Sequence, residues 1–181
     1  MKLNVVVSRF ISLLITFFMI ASLDGIAQTT HSVGSTNDWN GAISSLQEGD
    51  VIQLTADVTM GNAPVVACTI TSDGQKTLTC SSKLEMAAPL TFSNIKLDMS
   101  CIYANGHALV FDEGVECTGT YNNTLTGLRN IWGGSETGSV SSTSVTLKSG
   151  TFGWIYAGGN QGSVTGEAKL DLSGNVKVNG D

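Results

Sequence analysis

The sequence predicts an all-β protein: a right-handed parallel β-helix, or β-solenoid, with a short N-terminal capping helix. Three observations predict it. First, two stretches near the end repeat in tandem, IWGGSETGSVSSTSVTLKSGTFGW over Ile131 to Trp154 and IYAGGNQGSVTGEAKLDLSGNVKV over Ile155 to Val178. Second, charged residues make up only 13% of the chain, while Gly, Ser, Thr and Asn are abundant, which favours strands and tight turns over helices. Third, short apolar alternations recur between turn signals, with one face apolar and the other polar.

The repeat carries most weight. Laid over each other, the two copies match Ile131 with Ile155, Trp132 with Tyr156 and Gly134 with Gly158. Gly138-Ser139-Val140 meets Gly162-Ser163-Val164, and Ser149-Gly150 meets Ser173-Gly174; between them a one-residue slip aligns Val145 and Leu147 with Leu170 and Leu172. A unit of this size cannot bury its own apolar face, so tandem copies imply stacked coils sharing one core. Six to eight coils of about 16 to 25 residues are expected.

The 181 residues fit one domain. Residues 1–27 read as a secretory signal peptide. Lys2 and Arg9 precede the apolar run Phe10 to Ile20, and Gly25-Ile26-Ala27 supplies the small residues a signal peptidase reads. The run is short for a membrane span and Asp24-Gly25 interrupts it, so cleavage after Ala27 is expected, leaving residues 28–181 as a single soluble β-solenoid domain. The whole chain carries a formal charge of −6, and the leader's Lys2, Arg9 and Asp24 sum to +1, which leaves −7. An acidic surface without basic clusters argues against nucleic acid and anionic membranes as partners.

Thr36 to Gln47 is the one predicted helix. Thr36 or Asn37 can cap it, and Trp39, Ile43 and Leu46 share a face, although Gly41 weakens it. It covers the open end of the solenoid ahead of a first strand at Val51 to Leu54. Strand alternations follow at Val66/Cys68/Ile70, Leu78/Cys80, Leu84/Met86, Leu90/Phe92, Ile95/Leu97/Met99, Leu109/Phe111 and Val115/Cys117, separated by turns such as Ser72-Asp73-Gly74 and Asn105-Gly106. Pairs at hairpin spacing are absent, which favours parallel coils over a sandwich or an up-and-down barrel. Nothing resembling a cap follows Val178, so the C-terminal end is expected to be open or truncated, with end-to-end contact through the last coil.

Asp38 to Met60 (DWNGAISSLQEGDVIQLTADVTM), Thr77 to Asp98 (TLTCSSKLEMAAPLTFSNIKLD), Ala104 to Val115 (ANGHALVFDEGV) and the GG…GSVTG…LSG repeats together resemble a known kind of protein. It is the secreted, repetitive parallel β-helix surface protein of Bacteroidetes-type bacteria, usually regarded as adhesin-like. The resemblance implies fold and location and carries no chemistry with it.

Candidate sites are few. Cys68, Cys80, Cys101 and Cys117 are an even number in an exported chain, which fits disulfides in any of three pairings; Cys68, Cys80 and Cys117 also share the inward parity of Ile70, Leu78 and Val115, which fits buried free thiols. No CxxC or Cys/His spacing suits a metal. Gly133-Gly134 and Gly158-Gly159 fit neither a P-loop nor a dinucleotide fingerprint, and both copies lack the Asp of a calcium-binding nonapeptide. Neither cofactor nor metal is expected.

Trp132, Trp154 and Tyr156 are the candidate ligand-binding residues. Phe152, Trp154 and Tyr156 alternate along one strand, with Trp132 beside Tyr156 one coil away. Facing outward, they would form a strip that stacks on sugar rings. Facing inward, they would fill the core with Ile131 and Ile155 outside, the arrangement that general burial preferences favour. Catalysis is not expected. Asp98, Asp112, Glu113 and Glu116 form no pair aimed at one substrate, Arg129 is the sole arginine after the leader, and His31 and His107 are isolated. The expectation is an exported, non-catalytic, adhesin-like module at the cell surface or secreted, binding glycans or proteins. A polysaccharide lyase or hydrolase and a structural stalk are the alternatives.

Overall fold

Strands of successive coils stack in parallel and in register, and the coil that carries the first copy of the repeat is one continuous strand whose start and end belong to different stacks. The computed structural model describes residues 27–121 and 125–180, so all but the last residue of the expected signal peptide lies outside the described residues. The chain is a β-solenoid of about seven turns. β1 (Thr30–Val33) and α1 (Thr36–Ser45) open it, followed by β2 (Val51–Leu54) and β3 (Val58–Thr59). The third coil is β4 (Cys68–Ser72), β5 (Thr77–Thr79) and β6 (Lys83–Glu85); the fourth is β7 (Leu90–Phe92), β8 (Ile95–Asp98) and β9 (Cys101–Tyr103). The fifth holds β10 (Ala108–Phe111), β11 (Val115–Cys117), the antiparallel pair β12 (Thr120–Tyr121) and β13 (Leu125–Thr126), and β14 (Leu128–Trp132). β15 (Thr143–Tyr156) and β16 (Ala168–Val178) are the sixth and seventh.

The pairings form three stacks. The first runs β1-β2-β4-β7-β10-β15-β16, the second β3-β5-β8-β11, and the third β6-β9-β14-β15. β15 belongs to two of them because its start pairs with β10 and its end with β14. Within each stack, alternation sends every second side chain inward. In the first stack one such row is His31, Ile52, Ile70, Phe92, Phe111, Leu147 and Leu172, each directly over the next, and Cys68, Leu90, Leu109, Val145 and Leu170 form another. Ile52, Ile70, Phe92, Phe111 and Leu147 are fully buried. Phe111 sits between Phe92 (ring centroids 5.3 Å apart, edge-on) and Phe152 (5.5 Å), so aromatic bulk fills the interior where three coils meet.

Four sequence expectations need correction. A strand, β1, precedes the helix; its sequence THSV gives the core only Val33, too little apolar signal to be read as a strand. α1 ends at Ser45, and Ser35 caps it, accepting a hydrogen bond from the Asp38 N–H at 3.2 Å. One antiparallel hairpin does exist, at β12 and β13. The repeat register is right at Ile131↔Ile155, Val140↔Val164 and Val145↔Leu170, offsets of 24, 24 and 25. It then lengthens instead of slipping back: a bulge between Leu147 and Ser149 places Ser149 opposite Asn175, an offset of 26, and not opposite Ser173.

Candidate binding face

The third stack decides where the aromatic residues stand. On β14, Leu128 and Ile131 are both fully buried although three residues apart, because the strand rounds a corner between them. β15 repeats this with Phe152, fully buried, and Ile155, packed against the core. Period-two alternation does not survive such a corner, so Phe152 faces inward while Trp154 and Tyr156 face outward. Phe152 therefore does not share their face, contrary to the sequence reading. Ile131 lies inside and Trp132 outside, the reverse of the arrangement that burial preferences favoured.

Outside, two rows flank the inward row Leu84–Ile102–Ile131–Ile155. One is Lys83, Cys101, Asn130 and Trp154; the other is Glu85, Tyr103, Trp132 and Tyr156. In the second row the rings stack nearly parallel. Trp132 and Tyr156 have centroids 3.8 Å apart with planes 6° from parallel, and Tyr103 and Trp132 are 6.2 Å apart, also at 6°. Trp154 stands one row over, its indole nitrogen 2.7 Å from where a Cβ on Gly180 would lie. Trp132 and Tyr156 thus come together as expected, with Trp154 adjacent.

Tyr103 is the member the sequence reading missed. Its signal was present: Ile102-Tyr103-Ala104, Ile131-Trp132-Gly133 and Ile155-Tyr156-Ala157 share one pattern of inward Ile, outward aromatic and small residue. The small residue is a packing requirement at the second copy. A Cβ on Gly133 would lie 2.3 Å from the Ala157 carbonyl oxygen and one on Gly134 2.8 Å from the Gly159 nitrogen, so this glycine pair marks close approach of successive coils beside the aromatic stack.

Polar groups surround the ladder. The Lys83 ammonium lies 5.5 Å from the Tyr103 ring centroid, 2.8 Å from the Glu85 carboxylate, and in contact with Glu136. Glu136 first and Glu85 second hold the Lys83 pKa well above its ordinary value. Asn160 donates its side-chain N–H to the Tyr103 hydroxyl at 3.3 Å, and burial raises the Tyr103 pKa. The Trp132 indole N–H is buried and finds no acceptor among the described residues. Exposure rises along the ladder from Tyr103, 5% accessible, to Tyr156, 38% accessible.

The other sequence candidates are dispersed. All four cysteines are free thiols: Cys68 on β4 and Cys117 on β11 are buried, Cys80 packs against the core, and Cys101 points outward on β9. Burial pushes the Cys68 and Cys117 thiols up to about 12, which leaves them unreactive at neutral pH. His107 is half-buried in a turn, its backbone N–H donating to the Ala104 carbonyl. His31 is not isolated; its Nε2 is 3.0 Å from the buried Asp50 carboxylate. Asp112 pairs with Lys148 at 3.0 Å and Glu116 with Lys96 at 3.9 Å. Among the described residues no three His, Cys, Asp or Glu side chains cluster to hold a metal, and no helix is long and apolar enough to cross a membrane. Comparison with protein-family models, curated proteins and solved structures gives no match.

Proposed function

We propose that this chain is an exported, non-catalytic, adhesin-like module, at the cell surface or secreted, whose third face binds a glycan or a protein. The outward aromatic ladder Tyr103–Trp132–Tyr156, with Trp154 beside it, is the observation that carries this reading. Amphipathic rings bordered by a lysine, two carboxylates and an amide offer both apolar contact and hydrogen bonds, as carbohydrate and protein ligands require. The ring most open for stacking is Tyr156, because the others turn their faces to each other. The buried, unpaired Trp132 N–H is a donor that a ligand oxygen would satisfy after a small side-chain movement. A non-catalytic role fits the carboxylates, since Asp112 and Glu116 are each engaged by a lysine.

Tryptophan fluorescence of the chain, titrated with a panel of host and plant glycans, tests the reading. We expect one glycan class to shift the emission, and Tyr156→Ala to abolish that shift while leaving the thermal midpoint within a few degrees. If no glycan or protein ligand alters the emission and quenchers act equally with and without them, binding at this face is excluded. The mutual stacking of ring faces favours a second reading, a structural stalk stiffened by the ladder. In that case Trp132→Ala lowers stability by several kcal/mol, as for a packed aromatic, with no ligand to lose. Shortening of an added polysaccharide in the same assay would instead support an enzyme.

A further inference from the structure

The corner between the second and third stacks holds a groove of about 280 Å³ that shares no lining residue with the aromatic face. The third and fourth coils turn this corner directly, from Thr79 to Lys83 and from Asp98 to Cys101. The fifth coil instead inserts the β12–β13 hairpin between Cys117 and Leu128. The base of that hairpin is pressed onto the coil beside it. The Gly127 N–H donates to the Gly119 carbonyl at 2.7 Å, and a Cβ on Gly119 would lie 2.9 Å from the Met99 carbonyl oxygen. The hairpin base is therefore a fixed wall, and the groove lies between it and the two coils that turn the corner without one.

Two opposite charges line this space. Asp98 ends β8 on the second stack. Arg129, at the start of β14 on the third, lies over Ser100, its backbone N–H donating to the Ser100 carbonyl at 2.9 Å. Both side chains are exposed, and neither forms an ion pair among the described residues. Neighbouring charges behave differently: Lys83 is held by Glu85 and Glu136, Lys96 by Glu116 and Lys148 by Asp112. A guanidinium and a carboxylate that share a groove without meeting give it one positive and one negative wall. The hydroxyls of Thr79, Ser82 and Thr120 add groups that both donate and accept.

We propose that this groove binds a small dipolar ligand of the α-amino acid class, with its carboxylate on Arg129 and its ammonium on Asp98. The guanidinium fork matches a carboxylate with two parallel hydrogen bonds, and the Asp98 oxygens are acceptors for an ammonium. A simple anion satisfies Arg129 but is repelled by Asp98, and a simple cation meets the reverse, so the two walls select a ligand that carries both charges. Size points the same way. The groove lies just under the range of about 300–1,000 Å³ that holds drug-sized ligands, which suits a molecule of amino-acid dimensions better than a polymer chain. The site is independent of the aromatic ladder and of what that face binds.

Backbone amide chemical shifts of the full chain, titrated with L-serine, N-acetyl-L-serine and L-serinamide, test the proposal. L-serine carries both charges, its N-acetyl form only the carboxylate, and the amide only the ammonium. L-serine should shift the amides of Ser82, Ser100, Gly119 and Gly127 saturably and leave those of Trp132 and Tyr156 in place. The two singly charged analogues should bind about tenfold or more weakly, each having lost a charge-assisted hydrogen-bond partner. Arg129→Gln and Asp98→Asn should each weaken L-serine by a similar factor of about ten, and because both side chains are exposed, both variants should keep the native thermal midpoint. Tyr156→Ala should leave L-serine binding unchanged, which separates this site from the ladder. The absence of a saturable shift at these amides overturns the proposal. So does equal binding of either singly charged analogue, or binding indifferent to Arg129→Gln or to Asp98→Asn.

Discussion

The first and last described coils share the same inward row and surround it differently. At the N-terminal end, α1 packs over β1 and β3, and Trp39 is fully buried beneath it, its indole N–H donating to the Asn62 carbonyl at 3.0 Å. The last member of the row there, His31, ends on the Asp50 carboxylate, which also accepts from the backbone N–H groups of Thr29 and Gln47, each at 2.9 Å. At β16 the last described member of the row is Leu172, half-exposed and without a polar partner among the described residues. The contrast separates two requirements of a coil: apolar stacking holds it to its neighbour, but a finished end also needs cover and satisfied polar groups.

The largest expected effect comes from making one substitution in two places along that row. Phe111→Ala empties the junction where Phe92 and Phe152 meet, and should lower stability by about 3–5 kcal/mol. Leu172→Ala, two coils away in the same row, removes a side chain that is already half in water and should cost about 1 kcal/mol or less. Urea midpoints of the two variants measure the ratio. Equal losses would mean that Leu172 is covered in solution, which would erase the difference between the two positions.

A smaller effect probes the cover itself. Trp39→Phe keeps most of the apolar plug under α1 but removes the donor to Asn62 and leaves a void the size of the missing ring. The expected loss is about 1–2 kcal/mol. Hydrogen exchange should place the damage in β1, α1 and β2 and leave β14 to β16 unchanged, because coils in a solenoid interact mainly with their neighbours. Uniform loosening along the whole chain would argue that the cap is not a local device.

Much of this was legible in the sequence, and the failures have identifiable causes. Tandem spacing placed Trp132 beside Tyr156 and Val145 over Leu170, because stacked coils copy sequence offsets directly into strand register. Parity arguments correctly sent Cys68 and Cys117 inward. They failed at Phe152 because a corner lies between it and Trp154, and alternation holds only within a straight strand. The aromatic ladder was expected inside for a different reason, the general preference for burying large rings, and it stands outside. The His31–Asp50 contact was out of reach. Nineteen residues separate the two, they meet only when β1 lies on β2, and neither residue type announces a strand or a core.

That contact gives the smallest and most specific test of the capped end. Asp50 is 1% accessible, and the hydrogen bond from His31, followed by those from Gln47 and Thr29, holds its carboxyl pKa below the ordinary aspartate value. A depressed folded-state pKa contributes stability that is fully present above the unfolded pKa, about 3.9, and is lost as the pH falls through the folded value. Asp50→Asn keeps one accepting oxygen but turns an N–H₂ group toward donors, so it should be less stable than the native chain at pH 7. The gap should begin to narrow only below about pH 4, where the unfolded chain takes up its proton first, and should close once the pH falls through the lower folded-state value. Asp112 is also held low, by Lys148, but this pair is exposed and screened by salt, so Asp112→Asn should change the acid limb little, and less still at high ionic strength. Thermal midpoints from pH 2 to 7 for the three proteins read the difference. Parallel curves for the native chain and Asp50→Asn would show that the carboxylate's charge does not stabilise the cap. The cap would then rest on Trp39 and apolar cover alone.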